Sequence, residues 1–159
     1  MARQVVEELE LPDPKIQASP DEDFVQMVRV PTWLWLSSGV WKPVTVTAEV
    51  PGVTVTATAE PQQVVWSMGD GRQVVCEGPG TPYAAGGQRP QAASPDCGHT
   101  YRRASRGQPE GVYTVQAAIS WTVTWQGGGE AGVIPGLVTA DEVPIQVDEM
   151  QAVVVADAR

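Results

Sequence analysis

The 159-residue sequence has little or none of several residue types on which common functions depend. It contains no asparagine, so an acceptor for N-linked glycosylation is absent. His99 is the one histidine, which excludes a site built on several histidine ligands. The two cysteines, Cys76 and Cys97, are too few for a four-cysteine or two-cysteine, two-histidine zinc site.

Basic residues and long apolar runs are also scarce. Ten Lys and Arg residues stand against 19 Asp and Glu residues, which gives a formal net charge of −9. An acidic chain is a poor ligand for the phosphate backbone of nucleic acid or for anionic lipid. No stretch approaches the roughly 20 apolar residues of a membrane span. Residues 1–15 lack the basic start and the apolar run of a signal peptide. The sequence therefore predicts no nucleic-acid partner and no membrane insertion.

Hydrophobic residues make up 42% of the chain, which is enough to form a core. Residues 1–27 differ from the rest because they are strongly acidic, with Arg3 and Lys15 as their only basic side chains. They also contain three prolines, which interrupt a helix. We predict an acidic, proline-containing tail or linker over residues 1–27 and one folded domain over residues 28–159.

From about residue 24 onward, valine and threonine alternate with a period of two, which is typical of half-buried strands. Residues 44–50 and 53–59 flank Pro51-Gly52 and predict a hairpin with one apolar and one polar face. Residues 113–125 form the longest alternation, in which we expect a bend or a bulge.

Further short segments complete the pattern. Residues 64–68 present another inward face, residues 133–138 and 143–147 predict two short strands, and residues 153–155 predict either a strand or an unpaired tail. No helical periodicity appears beyond the first dozen residues. The predicted fold class is therefore all-β, with two antiparallel sheets packed as a sandwich.

Three motifs in the middle of the chain occur in a fixed order. They are V-V-W-S-M-G-D-G at residues 64–71, H-T-Y at residues 99–101 and G-V-Y-T-V at residues 111–115. Together they resemble the PKD domain family, which are Ig-like β-sandwich modules of extracellular proteins, over roughly residues 44–147. Met68 stands where that family usually has phenylalanine, an apolar exchange. The insertion at residues 77–96 is longer than is usual in the family.

The resemblance implies that the motif residues serve folding rather than chemistry. A glycine-flanked aspartate suits a tight turn, because glycine adopts positive φ and the carboxylate accepts backbone N–H groups. The tryptophan fills the core, and the tyrosines place a polar tip near a sheet corner. The residues of this fold motif are Trp66, Gly69, Asp70, Gly71, His99, Tyr101, Gly111 and Tyr113.

A wider set of motifs resembles a group of exported actinobacterial proteins with no described activity. It comprises P-T-W-L-W at residues 31–35, C-x-G-P-G-T-P-Y at residues 76–83 and S-P-D-C-G-H-T-Y at residues 94–101. Those proteins have a signal peptide before the module. The resemblance therefore implies an extracellular or cell-surface location, and a chain that is a fragment without its leader.

In the implied sandwich, Cys76 and Cys97 flank the base of the insertion, and an exported protein meets oxidising conditions. We therefore predict a disulfide between Cys76 and Cys97, which closes the insertion. The alternative is a pair of buried, reduced thiols.

Some of the same residues could instead form a hydrolytic site or a calcium site. A hydrolytic site built from Ser67, Asp70 and His99 lacks the G-x-S-x-G elbow. A calcium site at Asp70 and Asp96 lacks a D-x-D-x-D run. We therefore predict no catalytic residue, no cofactor and no metal.

Aromatic residues offer a possible interaction surface. Trp33 and Trp35 share one face of an apolar segment, which is either core or a surface that binds a sugar or a partner protein. Tyr83 and Arg89 lie in the insertion, which is either a spacer or a recognition loop. A basic cluster, expected to be a solvated turn paired with nearby acids, comprises Arg102, Arg103 and Arg106.

These observations predict a non-enzymatic, extracellular structural or protein-interaction module of an exported cell-envelope protein. Its expected partner is another protein or an envelope component. The alternative is a carbohydrate-binding accessory module of a secreted hydrolase.

Overall fold

The computed structural model describes residues 9–19, 25–83 and 92–149. This part of the chain is built from strands and three short 3₁₀ turns. The strands in chain order are β1 (Ile16–Ser19), β2 (Val25–Met27), β3 (Thr32–Leu36), β4 (Val44–Val50), β5 (Val53–Ser67), β6 (Gln73–Cys76), β7 (Gly98–His99), β8 (Tyr113–Gly127) and β9 (Glu130–Asp148).

The strands form two sheets, so the predicted all-β sandwich is confirmed. The small sheet has the order β1-β3-β7 and is antiparallel throughout. The large sheet has the order β2-β9-β8-β5-β4, with β6 paired to β5. Its pairs are antiparallel except for β2, which runs parallel to the end of β9.

The predicted hairpin is present as β4 and β5, with Val50 opposite Val53 across the turn. β5 does not end with the hairpin but continues to Ser67, so the inward face predicted at residues 64–68 belongs to the same strand. A register shift between Pro61 and Gln63 makes this possible. Buried positions are odd-numbered before the shift and even-numbered after it, so the bulge keeps the apolar face inward.

The long alternation over residues 113–125 is strand β8. Its pairing with β9 shifts register between Trp121 and Val123, where Thr122 stands against both Pro135 and Gly136. The extra residue therefore lies in β9, and the bulge expected within residues 113–125 belongs to the partner strand. The prediction of two short strands at residues 133–138 and 143–147 is wrong, because β9 is one strand of 19 residues. Pro135 and Gly136 form the bulge between Ile134 and Leu137, which pair with Val123 and Trp121, and Gly136 has a φ of +82°. The bulge thus accommodates a Pro-Gly pair that ordinarily ends a strand.

Two strands come from the range predicted to be a tail. β1 pairs with β3, and it buries Ile16 and Ala18 against the core. β2 pairs with the last residues of β9 and buries Gln26. The folded part therefore begins before residue 28, because the short alternation of Ile16 and Ala18 suffices to cover one edge of β3. The segment at residues 153–155 lies outside the described residues.

The core lies between the sheets and contains large side chains from both. Leu34 and Leu36 of β3 face the large sheet, from which Trp66 and Trp121 are fully buried. The indole N–H of Trp121 donates to Thr139 Oγ1 at 2.9 Å. The Trp66 indole N–H has no hydrogen-bond partner among the described residues. Within those residues, no helix has the length and apolar character that crossing a membrane requires.

Candidate functional site

The motif residues meet at one end of the sandwich, beginning with the turn between β5 and β6. The Met68 N–H donates to the Arg72 carbonyl at 3.0 Å and closes this turn. Gly69 and Gly71 have φ values of +82° and +89°, a region that glycine adopts without strain. Asp70 Oδ1 accepts the backbone N–H of Arg72 at 3.0 Å. The aspartate thus fixes the turn through its own backbone neighbour.

Asp70 also contacts the other sheet. Its Oδ2 atom lies 2.7 Å from Nε2 of His99, which belongs to β7 of the small sheet. The His99 and Asp70 side chains are only 10% and 16% exposed. Sequence reasoning placed both residues in the fold motif, and the structure brings them together across the sheets.

Tyr101 forms a second contact between the same two segments. Its hydroxyl donates to the Met68 carbonyl at 2.9 Å, and its ring is fully buried. The His99 ring packs edge-on against it, with ring centroids 4.8 Å apart. Burial, and then the nearby charge of Asp70, raise the pKa of Tyr101 far above its ordinary value. Tyr101 is therefore a neutral hydrogen-bond donor in the folded protein.

Tyr113 extends this aromatic stack. Its ring lies parallel to that of Tyr101, with centroids 4.9 Å apart and an interplanar angle of 5°. Its hydroxyl donates to the Arg103 carbonyl at 2.9 Å. Burial, followed by the charge of Asp70, raises the pKa of Tyr113. Near the start of the same strand, Gly111 has a φ of +72°, and its carbonyl accepts the Ser105 hydroxyl at 2.7 Å.

The predicted disulfide between Cys76 and Cys97 is confirmed, with Cα atoms 5.7 Å apart. It joins the last residue of β6, in the large sheet, to the residue before β7 in the small sheet. The Cys97 N–H donates to Ser94 Oγ, and the Cys97 carbonyl accepts the Leu34 N–H, both at 3.1 Å. Three links therefore connect the sheets at this end, and we call them the cross-sheet clamp: Cys76–Cys97, Asp70–His99 and Met68–Tyr101.

A cleft of about 640 Å³ opens beside the clamp. The Asp70–His99 pair forms part of its wall, and polar side chains supply most of the remainder. Those that bear on its chemistry are Arg72, Arg102, Arg103, Gln73, Gln108 and Thr100. Sequence analysis did not identify this cleft, because Arg72 lies about thirty positions from the other two arginines. The one signal of the cleft in the sequence was the basic cluster of Arg102, Arg103 and Arg106. Within the described residues, only Arg106 of these three forms an ion pair, with Glu149.

The residues predicted as an interaction surface, Trp33, Trp35, Tyr83 and Arg89, are not all exposed. Trp33 is 3% exposed, and its indole N–H donates to the Ala92 carbonyl at 2.8 Å. Tyr83 packs edge-on against the Trp33 ring with centroids 5.3 Å apart. Trp35 is half-buried, and Arg89 lies outside the described residues. Trp33 therefore packs in the interior and does not offer an exposed ring for stacking.

Neither of the chemical sites considered from sequence is assembled as its chemistry requires. Ser67 accepts a hydrogen bond from Gln73 Nε2 at 3.3 Å and does not line the cleft, although Asp70 and His99 do. Asp96 accepts the Ser94 hydroxyl at 3.2 Å. Within the described residues, no group of three or more His, Cys, Asp or Glu side chains is placed to hold a metal ion.

Comparison with family models, with curated proteins and with solved structures found no match for this chain.

Proposed function

We propose that this chain is a PKD-like β-sandwich that acts as a non-enzymatic structural or protein-interaction module of an exported cell-envelope protein. The observation that carries the proposal is the use of the polar motif residues in the cross-sheet clamp. Asp70 accepts a backbone N–H and contacts His99, and the Tyr101 hydroxyl donates to a backbone carbonyl. Side chains committed to such contacts hold two sheets together, which suits a rigid spacer or scaffold.

The disulfide supports the exported location. Disulfides persist in oxidising compartments and are rare in the reducing cytosol. The Cys76–Cys97 bond lies in the interior of the protein, because Cys76 and Cys97 are only 2% and 3% exposed.

The insertion between the cysteines supports an interaction role. Both of its ends lie on β3, because the Pro79 carbonyl accepts the Leu36 N–H at 2.8 Å and the Ala92 carbonyl accepts the Trp33 indole N–H. A loop whose ends are fixed on a rigid scaffold is a common arrangement for recognition.

Thiol trapping in fractionated source cells tests this proposal. Cells are treated with an alkylating reagent before lysis, and the mass of the chain is measured without reductant. We expect the protein in the envelope or extracellular fraction, with Cys76 and Cys97 protected from alkylation even after unfolding. A cytosolic protein with both thiols alkylated would contradict the exported role.

The second candidate function is a carbohydrate-binding accessory module of a secreted hydrolase. The polar cleft beside the clamp favours it, because a hydroxyl-rich ligand needs both donors and acceptors in the wall of its site. A catalytic domain in the same precursor would favour this role. A precursor with a leader and this module alone would favour the structural role.

A further inference from the structure

The cleft beside the clamp has a charge opposite to that of the chain as a whole. Arg72, Arg102 and Arg103 line it, and Asp70 is the one carboxylate that the described part of the chain contributes to its wall. Three positive charges and one negative charge leave +2, whereas the whole chain carries −9. A cleft lined by positive charge focuses the electric field and raises the local concentration of anions, even on a protein whose net charge is negative.

These three arginines have no carboxylate partner within the described residues. The ion pairs there are His99–Asp70 and Arg106–Glu149. Arg106 thus has a nearby acid, whereas its neighbours Arg102 and Arg103 face the cleft without one. Guanidinium groups bind carboxylate and phosphate with two parallel N–H···O bonds, so three around one cleft suit a ligand with such a group.

The rest of the wall suits hydroxyl groups. Gln73 and Gln108 each carry a donor and an acceptor, and the Thr100 hydroxyl is both. A sugar hydroxyl likewise donates and accepts. The volume of about 640 Å³ lies within the range of small-molecule sites, about 300–1,000 Å³.

We propose that this cleft binds an anionic sugar, with the arginines on its carboxylate or phosphate group and the glutamine and threonine side chains on its hydroxyls. A uronic acid and a sugar phosphate share this chemistry. The inference deepens the second candidate function, the carbohydrate-binding module, on which it rests, by naming the class of ligand that the module binds without converting it.

Isothermal titration of the whole chain tests the site. The probes are digalacturonate, glucose 1-phosphate, neutral maltose, inorganic phosphate and a hexaglutamate peptide. We expect at least one of the two anionic sugars to bind with millimolar affinity or better, about tenfold or more tightly than maltose, and more weakly as salt is added. Binding to digalacturonate alone identifies the carboxylate as the recognised group, and binding to glucose 1-phosphate alone identifies the phosphate.

Matched arginine variants locate the binding. Arg102→Gln combined with Arg103→Gln should weaken the binding of the anionic sugar about tenfold or more, and Arg72→Gln should weaken it as well. Arg106→Gln is the control, because Arg106 is in the same segment but is paired with Glu149 outside the cleft. These side chains are exposed, so all the variants should fold, which circular dichroism and thermal unfolding check.

Several results would overturn the site. One is binding of maltose as tight as that of the anionic sugars. Another is that glucose 1-phosphate binds but no more tightly than inorganic phosphate does. The others are binding of the peptide alone and equal weakening by Arg106→Gln. Analysis of the recovered ligand separates this proposal from the proposed function. A sugar that binds but is cleaved would contradict the non-enzymatic role and leave the site standing. An absence of binding to both anionic sugars would remove the site and leave the structural role standing.

Discussion

At the scale of single residues, the Tyr101 hydroxyl makes the clearest energetic prediction. Tyr101→Phe removes the donor of the buried bond to the Met68 carbonyl and leaves that carbonyl without its partner. We expect the free energy of unfolding to fall by about 1–3 kcal/mol. Tyr83→Phe is the matched control, because no hydrogen bond of the Tyr83 hydroxyl is present among the described residues, and it should change stability by less than about 0.5 kcal/mol. Urea unfolding measures both, and equal losses would contradict a bond at Tyr101.

The same tyrosine predicts a dependence on pH. Burial raises the pKa of Tyr101, so the folded chain holds the phenolic proton more tightly than the unfolded chain does. This contribution to stability is complete below about pH 10, the ordinary tyrosine pKa, and is lost as the pH rises above it. We expect the free energy of unfolding to fall above that pH, and to fall less steeply in Tyr101→Phe. Urea titrations across the alkaline range would refute this if both proteins gave the same slope.

The two glycines of the turn should differ in their tolerance of a side chain. Both have positive φ, which costs a non-glycine residue about 1–2 kcal/mol. A Cβ at Gly71 meets open space, whereas a Cβ at Gly69 would lie 2.8 Å from Tyr113 Cβ and 2.9 Å from the Thr114 carbonyl. We therefore expect Gly69→Ala to destabilise the protein more than Gly71→Ala, as measured by chemical denaturation. Losses of the same size would show that the turn does not pack against β8.

At the scale of elements, the disulfide links the end of β6, in the large sheet, to the residue before β7, a strand of the small sheet. Replacing both cysteines by serine removes the constraint on a loop with a sequence separation of 21. We expect a loss of about 3 kcal/mol in unfolding free energy, with a similar loss in the reduced wild-type protein. The hydrogen bonds of the clamp remain, so the far-ultraviolet circular dichroism of the folded state should be kept. Unchanged stability in the serine variant would contradict a structural role for the bond.

The elements also show what the sequence can and cannot predict. The β4–β5 hairpin was predictable because alternation and turn residues are local signals. The bulge expected in β8 lies in its partner β9. The sequence analysis predicted two short strands in place of β9, because a Pro-Gly pair such as Pro135-Gly136 usually ends a strand. Only the pairing with β8 shows that this pair lies in a bulge and that the strand continues. β2 was missed because three residues in a parallel pair carry no pattern of their own.

The site shows the same limit. The turn, the disulfide and the motif residues were found because each lies in a short, ordered motif. The arginine-lined cleft was not found, because Arg72 is the last residue of the β5–β6 turn whereas Arg102 and Arg103 follow β7. These residues come together only because one end of the large sheet packs against one end of the small sheet. The hydrophobic periodicity of the sequence does not indicate which sheet ends pack together.

At the scale of the whole molecule, two sheets of unequal size are held together by a shared core and, at one end, by the cross-sheet clamp. The clamp also forms one wall of the cleft, so the stability of this end and the shape of the proposed sugar site depend on the same residues. The central claim is that Asp70 and His99 act as a linked pair across the sheets.

A double-mutant cycle with Asp70→Asn, His99→Gln and the combined variant tests this claim most directly. Urea unfolding gives the free energy of each protein under the same conditions. Because the two side chains are 2.7 Å apart, the account predicts that the combined loss differs from the sum of the single losses by about 0.5–3 kcal/mol. Losses that simply add would show that Asp70 and His99 do not interact, and would contradict the clamp.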